Sequence, residues 1–202
     1  YSYQNNSFRL IQEFNQPTNI KNFNITTLSL WDEETVLCCS RWQGILLLNL
    51  KTGKYKRPPF DCGKEIMSLI IDSKKRIWIA PYNSGLYCFD RNGKQLASYT
   101  TRNSSLSNNV ILSLAERENK LWIGTDGGGI NILEPETGRF SLLEHIPGRA
   151  NYSLPANSIL SLYNDYNNNM WAGSIRNGLI SIREVSMVTY TDVMPGNNRG
   201  LS

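Results

Sequence analysis

The 202-residue sequence holds one histidine, His145, and four cysteines, Cys38, Cys39, Cys62 and Cys88. A single imidazole leaves a nucleophile almost no choice of base. The cysteines form no C-x-x-C pair, and one histidine cannot complete a Cys/His zinc set with them. No phosphate-cradling loop is present. No catalytic residue, metal or cofactor is therefore expected. Four cysteines are too sparse for a disulfide scaffold, so they read as small buried hydrophobes; one disulfide stays open in an oxidising compartment. Long apolar runs are missing too. The longest, such as Ile45–Leu48, fall far short of the ~20 residues a membrane helix needs. No signal peptide and no useful amphipathic helix appear. Charge is nearly balanced, with 21 Lys and Arg against 17 Asp and Glu, for a net +4. The basic clusters Lys51, Lys54, Lys56, Arg57 and Lys74, Lys75, Arg76 fall in expected turns, where solvated lysines are ordinary, so no nucleic-acid partner is expected.

What is present is a repeat. Four segments read alike: Ile25-Thr-Thr-Leu28, Ile66-Met-Ser-Leu69, Ile111-Leu-Ser-Leu114 and Ile159-Leu-Ser-Leu162. Each leads, after a polar turn, to a large apolar residue: Leu37, Trp78, Trp122 and Trp171. A glycine follows each of those: Gly44, Gly85, Gly129 and Gly178. The period is about 45 residues, the size of a propeller blade. Each unit reads as four strands, A to D: the Ile-x-x-Leu segment, the Trp-bearing segment, the segment after the glycine, and a last strand starting near Tyr55, Gln95, Phe140 or Met187.

The B and C strands are apolar on both faces, so each sheet must be covered on both sides. With no helix to do this, the cover is the neighbouring repeat. The expectation is an all-β chain: a β-propeller of four-stranded antiparallel blades, favoured over a sandwich, which would lack the long repeat. The recurrent tryptophans should fill wedges between blades, with Ala80, Gly124 and Gly173 allowing close approach.

The segment Leu121-Trp-Ile-Gly-Thr-Asp-Gly-Gly-Gly129, preceded by Val110-Ile-Leu-Ser-Leu-Ala-Glu116, resembles the two-component regulator propeller repeat. Trp78 with Ile79 and Gly85, and Trp171 with Gly173, Ser174 and Gly178, match it less closely. The first repeat departs furthest, with Leu37 for Trp and Cys38-Cys39 for Ile-Gly. The resemblance implies part of the periplasmic sensor region of a Bacteroides-type hybrid two-component histidine kinase. Its usual stimulus is a glycan-derived oligosaccharide, and the kinase and regulator lie inside the cell.

By this reading residues 1–24 are the tail of a preceding blade. Blade 1 covers 25–60, blade 2 61–105 and blade 3 106–153; blade 4 and the lead into a next blade cover 154–202. A start at Tyr1, not Met, and a Leu201-Ser202 end like Leu106-Ser107 suggest an arc of about four blades cut from a larger, seven-bladed propeller. Its uncovered faces would favour self-association and contact with neighbouring blades of the full-length chain.

Ligand contacts are expected on the face carrying the B–C and D–A loops. Candidates from the B–C loops are Arg41, Trp42, Tyr82, Asn83, Asp126, Arg176 and Asn177. Aromatic rings suit an apolar sugar face, while guanidinium, amide and carboxylate groups suit hydroxyls. Turn chemistry alone also accounts for Asn83, Asn177 and the glycine-flanked Asp126. Two other functions stand beside sugar sensing: a scaffold for protein contact or dimerisation, and, more weakly, a propeller lyase or hydrolase.

Overall fold

The computed structural model describes residues 24–61, 63, 65–148, 153–183 and 187–190. The expected tail over 1–23, Cys62 and the C-terminal lead lie outside the described residues. Every regular element among those described is a β-strand, in four antiparallel four-stranded sheets arranged as a β-propeller. Blade 1 is β1 (Ile25–Leu30), β2 (Thr35–Ser40), β3 (Gly44–Asn49) and β4 (Tyr55–Lys56). Blade 2 is β5 (Ile66–Ile71), β6 (Ile77–Pro81), β7 (Leu86–Phe89) and β8 (Gln95–Tyr99). Blade 3 is β9 (Ile111–Arg117), β10 (Lys120–Thr125), β11 (Ile130–Glu134) and β12 (Arg139–Leu143). Blade 4 is β13 (Ile159–Asn164), β14 (Met170–Ser174), β15 (Gly178–Ile182) and β16 (Met187–Tyr190). Each blade is a meander with strands in chain order.

Consecutive blades pack face to face, led by the first strands β1, β5, β9 and β13. Three buried clusters fill the gaps. Leu37, Cys39, Ile45 and Leu47 of blade 1 meet Ile66, Leu69, Ile77 and Ile79 of blade 2. Trp78, Ala80, Leu86 and Cys88 of blade 2 meet Ile111, Leu114, Leu121 and Ile123 of blade 3. Trp122 and Ile130 of blade 3 meet Ile159, Met170, Ala172 and Ile180 of blade 4. The residues of β6, apolar on both faces, are all buried; sheets covered on both sides need that pattern. Cys38, Cys39 and Cys88 are buried, as small hydrophobes should be, and burial pushes the Cys88 thiol up to about 12.

Blades 2 and 4 share a device at the turn between first and second strands. Asp72 Oδ1 accepts the Arg76 backbone N–H at 2.8 Å, closing the turn, while its Oδ2 accepts the Trp78 indole N–H at 2.8 Å. Asp165 does the same with the Asn169 N–H and the Trp171 indole, both at 2.8 Å. One carboxylate thus shapes a hairpin and anchors the polar edge of the wedge tryptophan. Blade 3 has a shorter turn with no aspartate there. Glu116 turns instead toward blade 2, accepting the Ser73 backbone N–H at 2.7 Å. The Trp122 indole nitrogen is buried with no hydrogen-bond partner among the described residues.

The close approach expected at the small residues of the second strands holds for Gly124. A Cβ there would lie 2.8 Å from Ile159 Cγ2 and 3.0 Å from the Ile159 carbonyl oxygen of the next blade. At Gly173 the approach is within its own sheet, where a Cβ would lie 2.4 Å from Ser161 Oγ. Among the described atoms a Cβ there would crowd only Ser161, of its own sheet. Leu28 and Leu30 of blade 1 and Tyr163 and Leu179 of blade 4 are exposed. No helix among the described residues is long and apolar enough to cross a membrane.

Candidate ligand-binding face

One face of the propeller is built from the loops between second and third strands, closed by the linkers that enter each blade. The linkers hold these loops by backbone hydrogen bonds that recur from blade to blade. Tyr82 N donates to Glu65 O at 2.9 Å, Asp126 N to Val110 O at 2.9 Å, and Ile175 N to Ser158 O at 3.0 Å. A second set reaches to the next linker: Gly85 N to Asn109 O at 3.1 Å and Gly129 N to Asn157 O at 2.8 Å. At Gly129, with φ of 72°, a side chain would collide with the Leu143 carbonyl at 2.2 Å. Only glycine lets the third strand start so close to its neighbour. The face is thus a stiff platform carrying variable side chains.

The seven residues expected from sequence all lie in these loops. Trp42 and Tyr82 are 56% and 48% exposed, high values for aromatics on a rigid frame. The Arg41 guanidinium sits 5.1 Å from the Trp42 ring centroid, a cation–π contact between neighbours in the loop. Asn83 takes φ of 50°, a conformation asparagine tolerates, so turn geometry explains it. Arg176 takes φ of 72°; arginine has no such tolerance, which marks a strained position. Asn177 follows it, half-buried. Asp126 is already engaged, its Oδ1 accepting the Ser158 hydroxyl at 2.8 Å.

The structure adds residues that sequence reading passed over. A cavity of about 570 Å³ opens between the blade 1 loop and the linker into blade 2, lined by Gln43, Gly44, Arg57, Pro59, Phe60 and Asp61 among others. Arg57 Nη1 donates to the Gln43 carbonyl at 2.7 Å and the Ile45 carbonyl at 3.3 Å, spanning loop and linker. Phe60 is buried beneath and stacks on Phe89 with ring centroids 5.2 Å apart. Gln43, next to Arg41 and Trp42 in the same loop, is the lining residue adjacent to the expected set. The run Arg57-Pro-Pro-Phe-Asp61 was the available signal: a linker rich in rigid, aromatic and charged residues where a plain turn would suffice.

The lone histidine is tied into a linker. His145 N donates to Asn157 Oδ1 at 2.6 Å and its Nδ1 lies 2.7 Å from the Leu154 carbonyl. Among the described residues no group of three or more His, Cys, Asp or Glu side chains could hold a metal ion.

The family model for the two component regulator propeller matches residues 105–127 and 153–176. These are the linker and first two strands of blades 3 and 4. No curated protein sequence matches the chain. Among solved structures, the chain is similar to the extracellular domain of a putative hybrid two component system from B. thetaiotaomicron. That match has 22% identity and a TM-score of 0.65, over 85% of this chain and 25% of that one. It is similar also to the extracellular domain of a putative one component system from the same organism, with 26% identity and a TM-score of 0.65, over 88% of this chain and 24% of that one. This chain therefore spans about a quarter of the length of each. Virginiamycin B lyase from Staphylococcus aureus shares the fold at 19% identity and a TM-score of 0.61, over 86% of this chain and 56% of that one.

Proposed function

We propose that this chain, whose third and fourth blades carry two component regulator propeller repeats, is part of the periplasmic sensing region of a hybrid two-component histidine kinase. It binds a glycan-derived oligosaccharide on the loop face. In the full-length protein the signal passes to an intracellular kinase and regulator, and this segment itself is not catalytic. The similarity to extracellular domains of such systems supports the extracytoplasmic placement.

The observation that carries the ligand class is the pairing of exposed Trp42 and Tyr82 with the cavity over Arg57 and Asp61. Ring faces take an apolar sugar surface, and the charged lining takes its hydroxyls. Arg41, Asn83, Arg176, Asn177 and Asp126, from the same set of loops, complete the candidate set.

Calorimetry of the intact sensor region against a panel of oligosaccharides tests this. Binding lost in Trp42→Ala or Arg57→Ala, with unfolding midpoints unchanged, supports the assignment. If no glycan binds, or if binding survives both changes, the site reading fails. A second reading, a propeller used for protein contact or dimerisation, is favoured by the apolar side chains at both ends, Leu28 and Leu30 on blade 1 and Tyr163 and Leu179 on blade 4. It predicts that Leu30→Glu or Leu179→Glu changes oligomeric state while glycan affinity stays the same. A lyase or hydrolase is disfavoured: the lyase likeness shows the fold alone, and His145 is bound to its own linker.

A further inference from the structure

The face opposite the loop platform carries a pair of buried donors without an acceptor. In blade 2, Asp72 Oδ2 accepts two donors together, Arg76 Nε at 2.6 Å and Trp78 Nε1 at 2.8 Å. In blade 4, Asp165 Oδ2 likewise accepts Asn169 Nδ2 at 3.0 Å and Trp171 Nε1 at 2.8 Å. Blade 3 keeps the indole, but its register puts Arg117 where blades 2 and 4 have Asp72 and Asp165, two residues beyond the partner of the wedge tryptophan. Arg117 lies 5.7 Å from the Trp122 ring centroid, as Arg76 lies 5.6 Å from that of Trp78. Arg117 and Trp122 are each only 7% exposed. Among the described residues Arg117 Nε and Trp122 Nε1 have no hydrogen-bond partner.

Arg117 Nη1 donates to the Ile182 carbonyl at 3.4 Å. Among the described residues the carboxylate within 4.0 Å is Glu118, whose Oε1 stands 3.8 Å from Arg117 Nε, too far for a hydrogen bond, and is engaged by Asn168 Nδ2. A cavity of about 240 Å³ lies beside them, lined by Arg117, Glu118, Asn167, Asn168, Asn169 and Arg183. Among the described residues its lining sets two guanidinium groups against one carboxylate. Buried unpaired donors are costly, and a charge-assisted bond from Arg to an oxyanion is the strongest remedy.

We propose that this junction between blades 3 and 4 is an anion site that takes the carboxylate of a small organic acid. One ligand oxygen enters from the cavity beside Arg117, accepts its Nε, and reaches the adjoining Trp122 Nε1. Arg183 and the Asn167–Asn169 turn face the rest of the molecule. The site is separate from the sugar-binding face and does not depend on it.

Indole N–H signals in ¹⁵N-labelled protein test the proposal, with the Trp122 signal assigned by its loss in Trp122→Phe. Titration with acetate, against chloride at matched ionic strength, should move the Trp122 signal saturably and leave Trp78, already bound to Asp72, in place. Arg117→Lys keeps the charge but loses the fixed Nε donor, and should remove saturation. Glu118→Gln, which deletes the competing charge on an exposed side chain, should tighten binding. An unmoving Trp122 signal, a drift shared with chloride, or saturation that survives Arg117→Lys together with no change in Glu118→Gln overturns the proposal. In those cases water serves the donors, bridging to the unpaired Asn164 Oδ1 of the same blade junction.

Discussion

Adding one methyl group at equivalent points of two blades should have opposite consequences. Gly124 and Gly173 occupy the same place in their sheets, opposite Ser113 and Ser161. In both, a new Cβ would fall 2.4 Å from the serine hydroxyl. That contact is relievable, because Ala80 already stands opposite Ser68 in blade 2 while fully buried. The difference lies on the other side. At Gly124 the methyl would also meet Ile159 Cγ2 at 2.8 Å and the Ile159 carbonyl oxygen at 3.0 Å, part of a first strand that cannot rotate away. Relief there means spreading blades 3 and 4, and overpacking of this kind costs about 1–3 kcal/mol. The loss of glycine's freedom in the unfolded chain returns about 0.4–1 kcal/mol to either variant. Gly124→Ala should therefore be destabilised by roughly 1–2 kcal/mol. Gly173→Ala should be neutral or slightly stabilised. Urea unfolding followed by tryptophan fluorescence reads both, the midpoint shifting at constant slope. At about 2–4 °C per kcal/mol for a chain of this size, a thermal melt should lower Gly124→Ala by a few degrees. Equal losses in the two variants would refute the reasoning, since only the approach of a following blade distinguishes them.

Trp78→Ala should cost about 3–5 kcal/mol, as the loss of a fully buried large ring does. Trp42→Ala, at an exposed loop, should stay within about 0.5 kcal/mol in the same denaturation assay. The hydrogen bond from Trp171, then that from Asn169, holds Asp165 down to about 2, against an unfolded carboxylate near 4. A depressed folded value means that its stabilisation is complete above pH ~4 and is lost as the pH falls through ~2. Asp165→Asn should be less stable at neutral pH and show a smaller further loss across that window in acid titration by circular dichroism. Burial raises the Cys88 thiol to about 12, so it should resist a thiol reagent at pH 8 in the native protein and react once denaturant is added. Rapid native labelling would contradict the blade 2–blade 3 packing.

The propeller was legible because its information is redundant. The Ile-x-x-Leu segments, the wedge tryptophans and the glycines that start the third strands recur at matching places, and each has one physical task. The Ile starts the strand that packs on the preceding blade, as Ile111 does on Trp78. The glycine lets the third strand begin against a neighbouring carbonyl, as at Gly129. Strand apolarity on both faces demanded cover, and adjacent repeats supply it. The carboxylate–indole pin was not read, although Asp72 and Asp165 both stand six residues before their tryptophans. Strand periodicity says nothing about which turn residue folds back on the sheet.

The candidate site was legible only in outline, because a binding surface lies where a repeat stops repeating. The loops of Trp42, Tyr82, Asp126 and Arg176 were found by their position in the unit, and all lie on one face. Their side chains have unlike duties, which position could not tell. Asp126 bonds Ser158 and tightens a turn, while Trp42 stays open beneath Arg41. Arg57 and Phe60 were missed because the linker into blade 2 has no counterpart in the others: Arg57-Pro-Pro-Phe stands where blades 3 and 4 have serine- and asparagine-rich runs. The same logic applies on the opposite face. The shortened turn of blade 3 was visible as one missing residue, but its consequence appears only when three blades are compared in space. Two aspartates each gather an indole and a second donor, whereas Arg117 and Trp122 keep theirs unpaired. In a fold made of copies, departures from the copy are where specific chemistry is to be sought, and this chain has one on each face.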